Sequence, residues 1–200
     1  TRIVIIPSLL RSLLQNISNV TEILKSLKLV VVSGETLTQS LVSEFHDRLP
    51  HCTLCNLYGA SEVSADVLFW ESKNEKLTRN PPIGQPIYNV EVCVLNTTMK
   101  IMPVGAIGEI CVSGECLSKG YLDKNQTKKC FVPHPFNKRK LIYKTGDLGR
   151  YLPNKEIEFV GRKDTQVKIR GCRVELQEIE NVIRSCSSVD NVIIETRNDL

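Results

Sequence analysis

Three polar stretches combine residue types at spacings that could do chemistry: residues 33–35 (SGE), residues 56–66 (NLYGASEVSAD), and residues 143–151 (YKTGDLGRY), the last followed closely by residues 161–180 (GRKDTQVKIRGCRVELQEIE). In the third, Gly146 can take a positive φ without steric cost, and Asp147 follows it directly between Lys144 and Arg150, which reads as a turn. A fourth stretch, HCTLC, gives His51, Cys52 and Cys55 a plausible metal-ligand spacing. Structural zinc wants four ligands, however, and no second Cys/His pair lies at finger distance.

The elements around these stretches alternate at first. Residues 1–6 (TRIVII) form a β-branched run. Pro7 and Ser8 then open a helical period through Leu9, Leu10, Leu13 and Leu14. A second helix is predicted over residues 20–27. It leads into KLVVVSGE, a continuous apolar strand ending at Gly34, as expected where both faces are covered. Residues 38–49 place Leu41, Val42, Phe45 and Leu49 on one helical face, and CTLCNLYG is the next strand. Polar residues therefore fall at the C-terminal ends of strands, where open α/β sheets bind ligands.

After RNPPIGQP the pattern changes to short strands broken by Gly and Pro (VEVCVLN, GEICVSG, KEIEFVG), which implies a small β-barrel or a twisted sheet packed on the α/β part. GRKDTQ interrupts with charge and predicts a hinge near residues 161–164. VKIRG then gives a strand, residues 176–186 a helix, and VDNVIIET a further strand, the start of a separate α+β unit. The fold class is thus α/β plus β-barrel followed by a small α+β unit. The expected divisions are residues 1–79, 80–161 and 162–200.

Composition excludes several classes. The chain has 200 residues, 42% hydrophobic and 24% charged, enough for a real core. Its net charge of +4 is scattered, so nucleic acid is not an expected partner. No run of eighteen apolar residues and no signal-peptide pattern occurs, which predicts a cytoplasmic protein with no membrane partner. The eight cysteines sit largely in apolar runs and read as buried reduced thiols. Four glycosylation sequons, at Asn16, Asn19, Asn96 and Asn125, are taken as chance in an intracellular chain. With Thr1 in place of methionine and Leu200 just after an apolar run, the chain looks cut at both ends.

The ordered stretches NLYGASE, YKTGD, GRKD and KIRGCRVELQEIE resemble those of the adenylate-forming enzymes, and specifically the adenylation domains of nonribosomal peptide synthetases, from one end of the chain to the other. The resemblance implies the later part of a large adenylation subdomain, then the start of the small C-terminal one. It implies ATP and Mg²⁺ as cofactors, a carboxylic or amino acid as substrate, and a carrier domain whose phosphopantetheine thiol takes the acyl group. Asp147 would accept the two ribose hydroxyls, since a carboxylate has two oxygens for a vicinal diol. Asn56 and Tyr58 would contact adenine, Tyr58 by stacking, and Gly59 would let the backbone approach the nucleotide.

By the same resemblance, Ser61 stands where the family usually carries Thr and keeps the hydroxyl for the α-phosphate, with Ala60 where Pro is common. Glu62 would be the magnesium ligand. Arg162 would reach ribose and phosphates, and Asp164 would be the hinge about which the C-terminal unit rotates. Lys168, Gly171 and Arg173 would form the loop facing the site during thiol transfer. Val31, Ser33, Gly34, Leu57, Ala65 and Asp66 would line the acyl pocket, with Asp66 meeting a cationic or hydroxylated side chain. Glu62 and Asp147 should then converge on the metal and sugar ends of one nucleotide. Two family parts, a phosphate loop before Thr1 and a catalytic lysine after Leu200, lie outside these residues, so the piece alone is expected to show no adenylation. An acyl-CoA ligase using free coenzyme A and a non-catalytic nucleotide-binding scaffold are the other readings; the KIRGCRVELQEIE style argues against the first and the retained polar residues against the second.

Overall fold

The computed structural model describes residues 1–73, 77–164, 166–169, 171–186, 189 and 191–196, and only the backbone of residues 173 and 177. The β-branched runs β1 (Arg2–Ile5), β2 (Leu29–Val32) and β3 (Thr53–Ala60) pair in parallel, with Val4 beside Val31 and Val31 beside Cys55. Parallel strands need crossovers, supplied here by α1 (Pro7–Asn16) with the short α2 (Val20–Ile23), and by α3 (Gln39–Arg48). Leu10 and Leu14 of α1 join Leu41 and Phe45 of α3 over Val30, Val32 and Leu54 in one buried cluster. Each such side chain contributes about 1.5–3 kcal/mol.

Local capping fits these ends. Thr38 accepts the amide N–H of Leu41 through its hydroxyl at 3.3 Å, the usual helix N-cap bond. No side chain of its own cap serves α1. Instead Glu35, from the SGE stretch, accepts the Ser8 amide at 2.8 Å and the Ser8 hydroxyl at 3.0 Å, placing a carboxylate on the helix N-terminus.

The structure corrects several expectations. β2 alternates between buried and half-buried residues rather than being covered on both faces, because the helices pack on one face only among the described residues. The second helix stops at Ile23, since Leu24 to Leu27 turn tightly to deliver Lys28 to the edge of β1. Residues 191–196 form no strand, for they pair with no edge among the described residues; residue 190 of that expected strand lies outside them.

β4 (Ala65–Glu71) folds back antiparallel on β3, and β5 (Gln85–Pro86) completes a five-stranded sheet in the order β1-β2-β3-β4-β5. A second, antiparallel sheet runs β10-β9-β7-β6, with β8 also on β9. Its strands are β6 (Val90–Leu95), β7 (Gly108–Gly114), β8 (Phe131–His134), β9 (Asn137–Tyr151) and β10 (Ile157–Arg162), with α4 (Lys124–Cys130) before β8. β6 and β10 do not pair with each other among the described residues; a bridge from Gly84 to Ile157 ties this sheet to the first. YKTGDLGRY is not a turn but part of the 15-residue strand β9. Gly146 does take the positive φ, 76°, where the β7–β9 register slips, so the glycine serves a bulge. A hairpin of β11 (Gln166–Ile169) and β12 (Cys172–Glu175) then leads into α5 (Leu176–Arg184).

Candidate nucleotide and acyl site

Asp147 occupies the bulge of β9. Its amide bonds the Thr145 hydroxyl at 3.0 Å, and that hydroxyl donates to the Ile110 carbonyl at 2.7 Å, which fixes the bulge against β7. The Asp147 carboxylate accepts the Tyr58 hydroxyl on Oδ2 and Arg162 Nη1 at 2.6 Å on Oδ1. Arg162 also forks onto Asp164, Nε to Oδ1 at 2.6 Å and Nη2 to Oδ2 at 2.7 Å. A Cβ on Gly146 would stand 2.8 Å from Arg162 Nη2 and 3.1 Å from Asp164 Oδ2, so the glycine also makes room for this fork. Lys163 joins in through its backbone, donating to the Gly146 carbonyl at 2.8 Å. The proposed hinge is thus laced to β9 by both side chain and backbone.

Electrostatics follow the geometry. Burial, then the Asp147 charge beside it, lifts the Tyr58 phenol well above its ordinary range, so it remains a donor. For Arg162, burial opposes the charge, but the bonds to Asp164 and Asp147 outweigh it and hold the guanidinium protonated.

A cleft of about 990 Å³ opens beside this group, lined by Asn56, Leu57, Tyr58, Gly59, Asp147 and Arg162. Gly34 and Lys168 also border it. Gly171, at the tip of the β11–β12 hairpin, would bring a Cβ to 3.2 Å from the Ile6 side chain, and Gly34 would bring one to 3.7 Å from the same methyl. The hairpin therefore rests on the α/β layer at the mouth of the cleft. Arg173 sits opposite Lys168 in that hairpin, and its side chain lies outside the described part. Gly59 has a local reason to be glycine besides any ligand: a Cβ there would fall 1.6 Å from the Ala65 carbonyl, where β4 crosses at a bulge.

Ser61 and Glu62 do not line that cleft. They form a single 3₁₀ turn, Ser61–Val63, between β3 and β4. Glu62 is buried, and its Oε1 accepts the Tyr121 hydroxyl at 2.6 Å; Tyr121 lies 3.3 Å from Tyr143. Burial, then the Glu62 bond, pushes the Tyr121 phenol up to about 12. Both tyrosines line a second cavity of about 590 Å³ that also touches Gly146 and Arg162. Asp147 borders the first cavity, Glu62 lies behind the tyrosines of the second, and the two cavities meet at Arg162; neither of them spans both carboxylates. Tyr121, Thr145 and Glu109 were not foreseen. Glu109 anchors the bulge through the Gly146 amide at 3.2 Å and the ammonium groups of Lys144 and Lys163 at 3.7 and 3.8 Å. Glu109 comes in by the pairing of β7 with β9 and Tyr121 from the segment between β7 and α4, neither at a marked spacing, whereas Thr145 lies within YKTGD itself.

Of the residues expected to line an acyl pocket, Val31, Leu57 and Asp66 lie on the open face of the first sheet, whereas Ala65 pairs with Ala60, one position out of that register. Val31 and Leu57 are half-buried there, and the Ser33 hydroxyl donates to Asp66 Oδ1 at 2.8 Å. Ser64 and Ala65, with φ of 57° and 80°, turn the chain so that Asp66 lies opposite Gly59.

His51, Cys52 and Cys55 form no metal group among the described residues, but Glu91, Cys93 and His134 bring ligand atoms within 4.8 Å of one another. This trio is not built for a cation. The amides of Phe136 and Asn137 both donate to His134 Nδ1 at 3.2 Å, so the nitrogen facing Glu91 carries the hydrogen. Burial, then Glu91, also pushes the Cys93 thiol up to about 11, away from thiolate. All eight cysteines are free; Cys172 and Cys186 are exposed rather than buried.

Residues 1–122 match the family described as AMP-binding enzyme. The chain belongs to the AMP-binding enzyme family. These are ATP-dependent adenylating ligases, and the relatives that match are peptide synthetases. The chain is 42% identical over 175 residues to tyrocidine synthase 3 of Brevibacillus parabrevis, covering 87% of this chain and 3% of the relative. It is 40% identical over 200 residues to bacitracin synthase 3 of Bacillus licheniformis, covering 100% of this chain and again 3% of the relative. Among solved structures it is similar to holo-PA1221, an NRPS protein containing adenylation and PCP domains bound to a vinylsulfonamide inhibitor: TM-score 0.86, 27% identity, 95% of this chain and 33% of that one. The Vibrio cholerae adenylation domain AlmE in complex with glycyl-adenosine-5'-phosphate gives a TM-score of 0.83 at 29% identity, over 96% of this chain and 36% of that one.

Proposed function

We propose that the protein carrying this chain activates an amino acid as its acyl-adenylate and passes the acyl group to the phosphopantetheine thiol of a carrier domain, in the cytoplasm. The substrate carboxylate attacks the α-phosphorus of ATP, forming the mixed anhydride as the bond to the bridging oxygen breaks and pyrophosphate leaves. The thiol then attacks the acyl carbonyl and AMP departs. The observation that carries this reading is the Asp147 group. A carboxylate offers about four lone-pair sites, of which Tyr58 and Arg162 take two. The remaining sites suit the two hydroxyls of a ribose entering the adjoining cleft, with Asn56 and Tyr58 on the adenine side.

Positioning and charge carry such a transfer, and no side chain need act as nucleophile. Arg162 supplies a fixed guanidinium at the cleft edge, and Asp164 holds its fork in plane. Ser61 would present its hydroxyl to the α-phosphate. For magnesium, a single carboxylate plus substrate phosphates is the usual way of holding the ion, and Glu62 fits that role once the Tyr121 hydroxyl yields Oε1. Bound there, Mg²⁺ would neutralise charge on the phosphates. Rotation at Asp164 would bring Lys168, Gly171 and Arg173 to the site for thiol transfer, and residues 1–79, 80–161 and 162–200 would be the units involved. The test is amino-acid-dependent ATP–pyrophosphate exchange by the whole synthetase. Asp147→Ala is expected to lower it by about 10²-fold or more; exchange at the wild-type rate would overturn the assignment.

A further inference from the structure

We propose that the face built by α4 and the β8–β9 hairpin docks an acidic surface of another domain of the same polypeptide. Residues 119–144 carry eight of the chain's 26 lysines and arginines and one of its 22 acidic residues, so the whole positive excess of the chain lies within them. In the sequence these charges fall in separate runs, KNQTKK and NKRK. The fold joins them, because α4 packs against both β8 and β9. Lys138, Arg139 and Lys140 lie between the pairs Pro133–Leu141 and His134–Asn137, in a bulge of β9 that faces no partner residue on β8. β7 pairs with β9 no further out than Tyr143 among the described residues, so the bulge sits at a hairpin end that reaches past the sheet. These three cations, and Lys124, Lys128 and Lys129 of α4, are all exposed.

The charges are not answered within the chain. Among the described residues Lys144 is the one cation of the stretch in an ion pair, with Glu109 at 3.7 Å. Asp123, the single acid, is used as the cap of α4, accepting the Asn125 amide at 2.7 Å. Lys128 and Lys129 in the last turn suit the helix dipole, which accounts for two cations and leaves the bulge unexplained. Lys124 and Lys128, one helical turn apart, repel each other, as do the three consecutive cations of the bulge. An acidic partner converts that repulsion into attraction. Seven of the eight cations are lysines, point charges that suit single carboxylates, whereas nucleic-acid phosphates favour the guanidinium fork. α4, KNQTKKC, has no apolar stripe with which to lie in a bilayer. Phe136 and Leu141, 57% and 50% exposed beside the bulge, supply the apolar centre that a protein interface has within a charged rim. The chain covers 3% of tyrocidine synthase 3 and of bacitracin synthase 3. In a polypeptide of that build a tethered domain reaches an effective concentration of about millimolar, at which a contact made largely of surface charges is populated. Lys129 and Lys144 also line the second cavity with Arg162 and Lys163, so a domain docked here borders the proposed hinge.

The experiment is carbodiimide cross-linking of the whole synthetase, which joins lysine amines directly to carboxylates in contact, read by mass spectrometry. The expected result is amide links from Lys128 and Lys129 to Asp or Glu residues of another domain of the same molecule, falling about fivefold as NaCl rises from about 50 mM to about 500 mM. Reversing the bulge charges, Lys138→Glu with Lys140→Glu, should lower the links from Lys128 and Lys129 by a similar factor although neither lysine is altered. Lys25→Glu with Lys28→Glu, exposed on the α/β layer, should leave them unchanged. Links absent at low salt, links unmoved by the bulge variant, links that join two molecules in an isotope-mixed sample, or binding of phosphatidylserine vesicles or single-stranded RNA in place of any link would each overturn the proposal. The readout does not depend on adenylation.

Discussion

Asp147 and Glu62 are both buried carboxylates in glycine-flanked polar stretches, yet Asp147 is bonded by a guanidinium and a phenol, whereas Glu62 accepts the Tyr121 phenol. Asp147 sits on a strand bulge beside an open cleft, with its countercharge fixed by a second carboxylate, Asp164. Glu62 sits on a single helical turn behind Tyr121 and Tyr143, whose rings pack with Phe131 in the core of the second sheet. The difference teaches that burial does not fix a carboxylate's access: Asp147 has its charge neutralised by Arg162 and still faces an open cleft, whereas Glu62 is screened by tyrosine rings.

The variant expected to disturb this contrast most is Arg162→Ala. It strands Asp147 as a buried charge without its cation, which should cost about 3–5 kcal/mol in urea unfolding. Arg162→Lys keeps a charge but not the fork and should fall between. A loss under about 1 kcal/mol would mean that Asp147 is well solvated and the contrast is false. Next comes Tyr121→Phe, which removes the donor to Glu62 and should destabilise by about 2 kcal/mol, since a hydrogen bond to a charged group is lost in the interior.

Tyr58→Phe removes the matching donor to Asp147, but Arg162 still neutralises that carboxylate, so a loss of about 1 kcal/mol is expected. If Tyr58→Phe proves costlier than Tyr121→Phe, the assigned order of the two sites is reversed. The smallest effect concerns pH. Tyr121 is raised from 10.0 to about 12, Cys93 from 9.0 to about 11, and Cys111 from 9.0 to about 12, in each case with burial as the first cause. Their folded values lie above the unfolded ones, so the neutral forms belong to the folded state. Stability from these groups is fully present below about pH 9 and is lost as pH rises from 9 towards 12, because the unfolded chain gives up its protons first. Urea midpoints should be level between about pH 7 and 8.5 on this account and begin to decline by about pH 9.5.

Much of the first half was legible because its signals are local. The period of Leu10, Leu14, Leu41 and Phe45 and the cap at Thr38 specify helices wherever they occur, and the β-branched runs at β1 and β2 specify strands. The family resemblance of NLYGASE and YKTGD likewise rests on contiguous residues, and it singled out Asn56, Tyr58, Asp147 and Arg162, which the structure brings to one cleft. The stretch YKTGDLGRY shows the limit: its glycine and charges suggest a turn, but pairing with β7 and β10 on either side makes it a strand. Conversely, VDNVIIET has strand composition yet stays irregular over residues 191–196, for lack of an edge.

By itself the sequence determined the helical faces, most of the strand runs and the family, because periodicity, backbone preference and contiguous motifs are written in neighbouring residues. Only the tertiary structure decided that Asp147 is clamped by Tyr58 and Arg162, that Glu62 lies behind Tyr121, that Glu35 caps α1, and that Ser33 reaches Asp66. Each of those bonds joins residues at least fifteen positions apart, most of them on different elements. Their geometry is set by strand register and layer packing, and no local spacing encodes either.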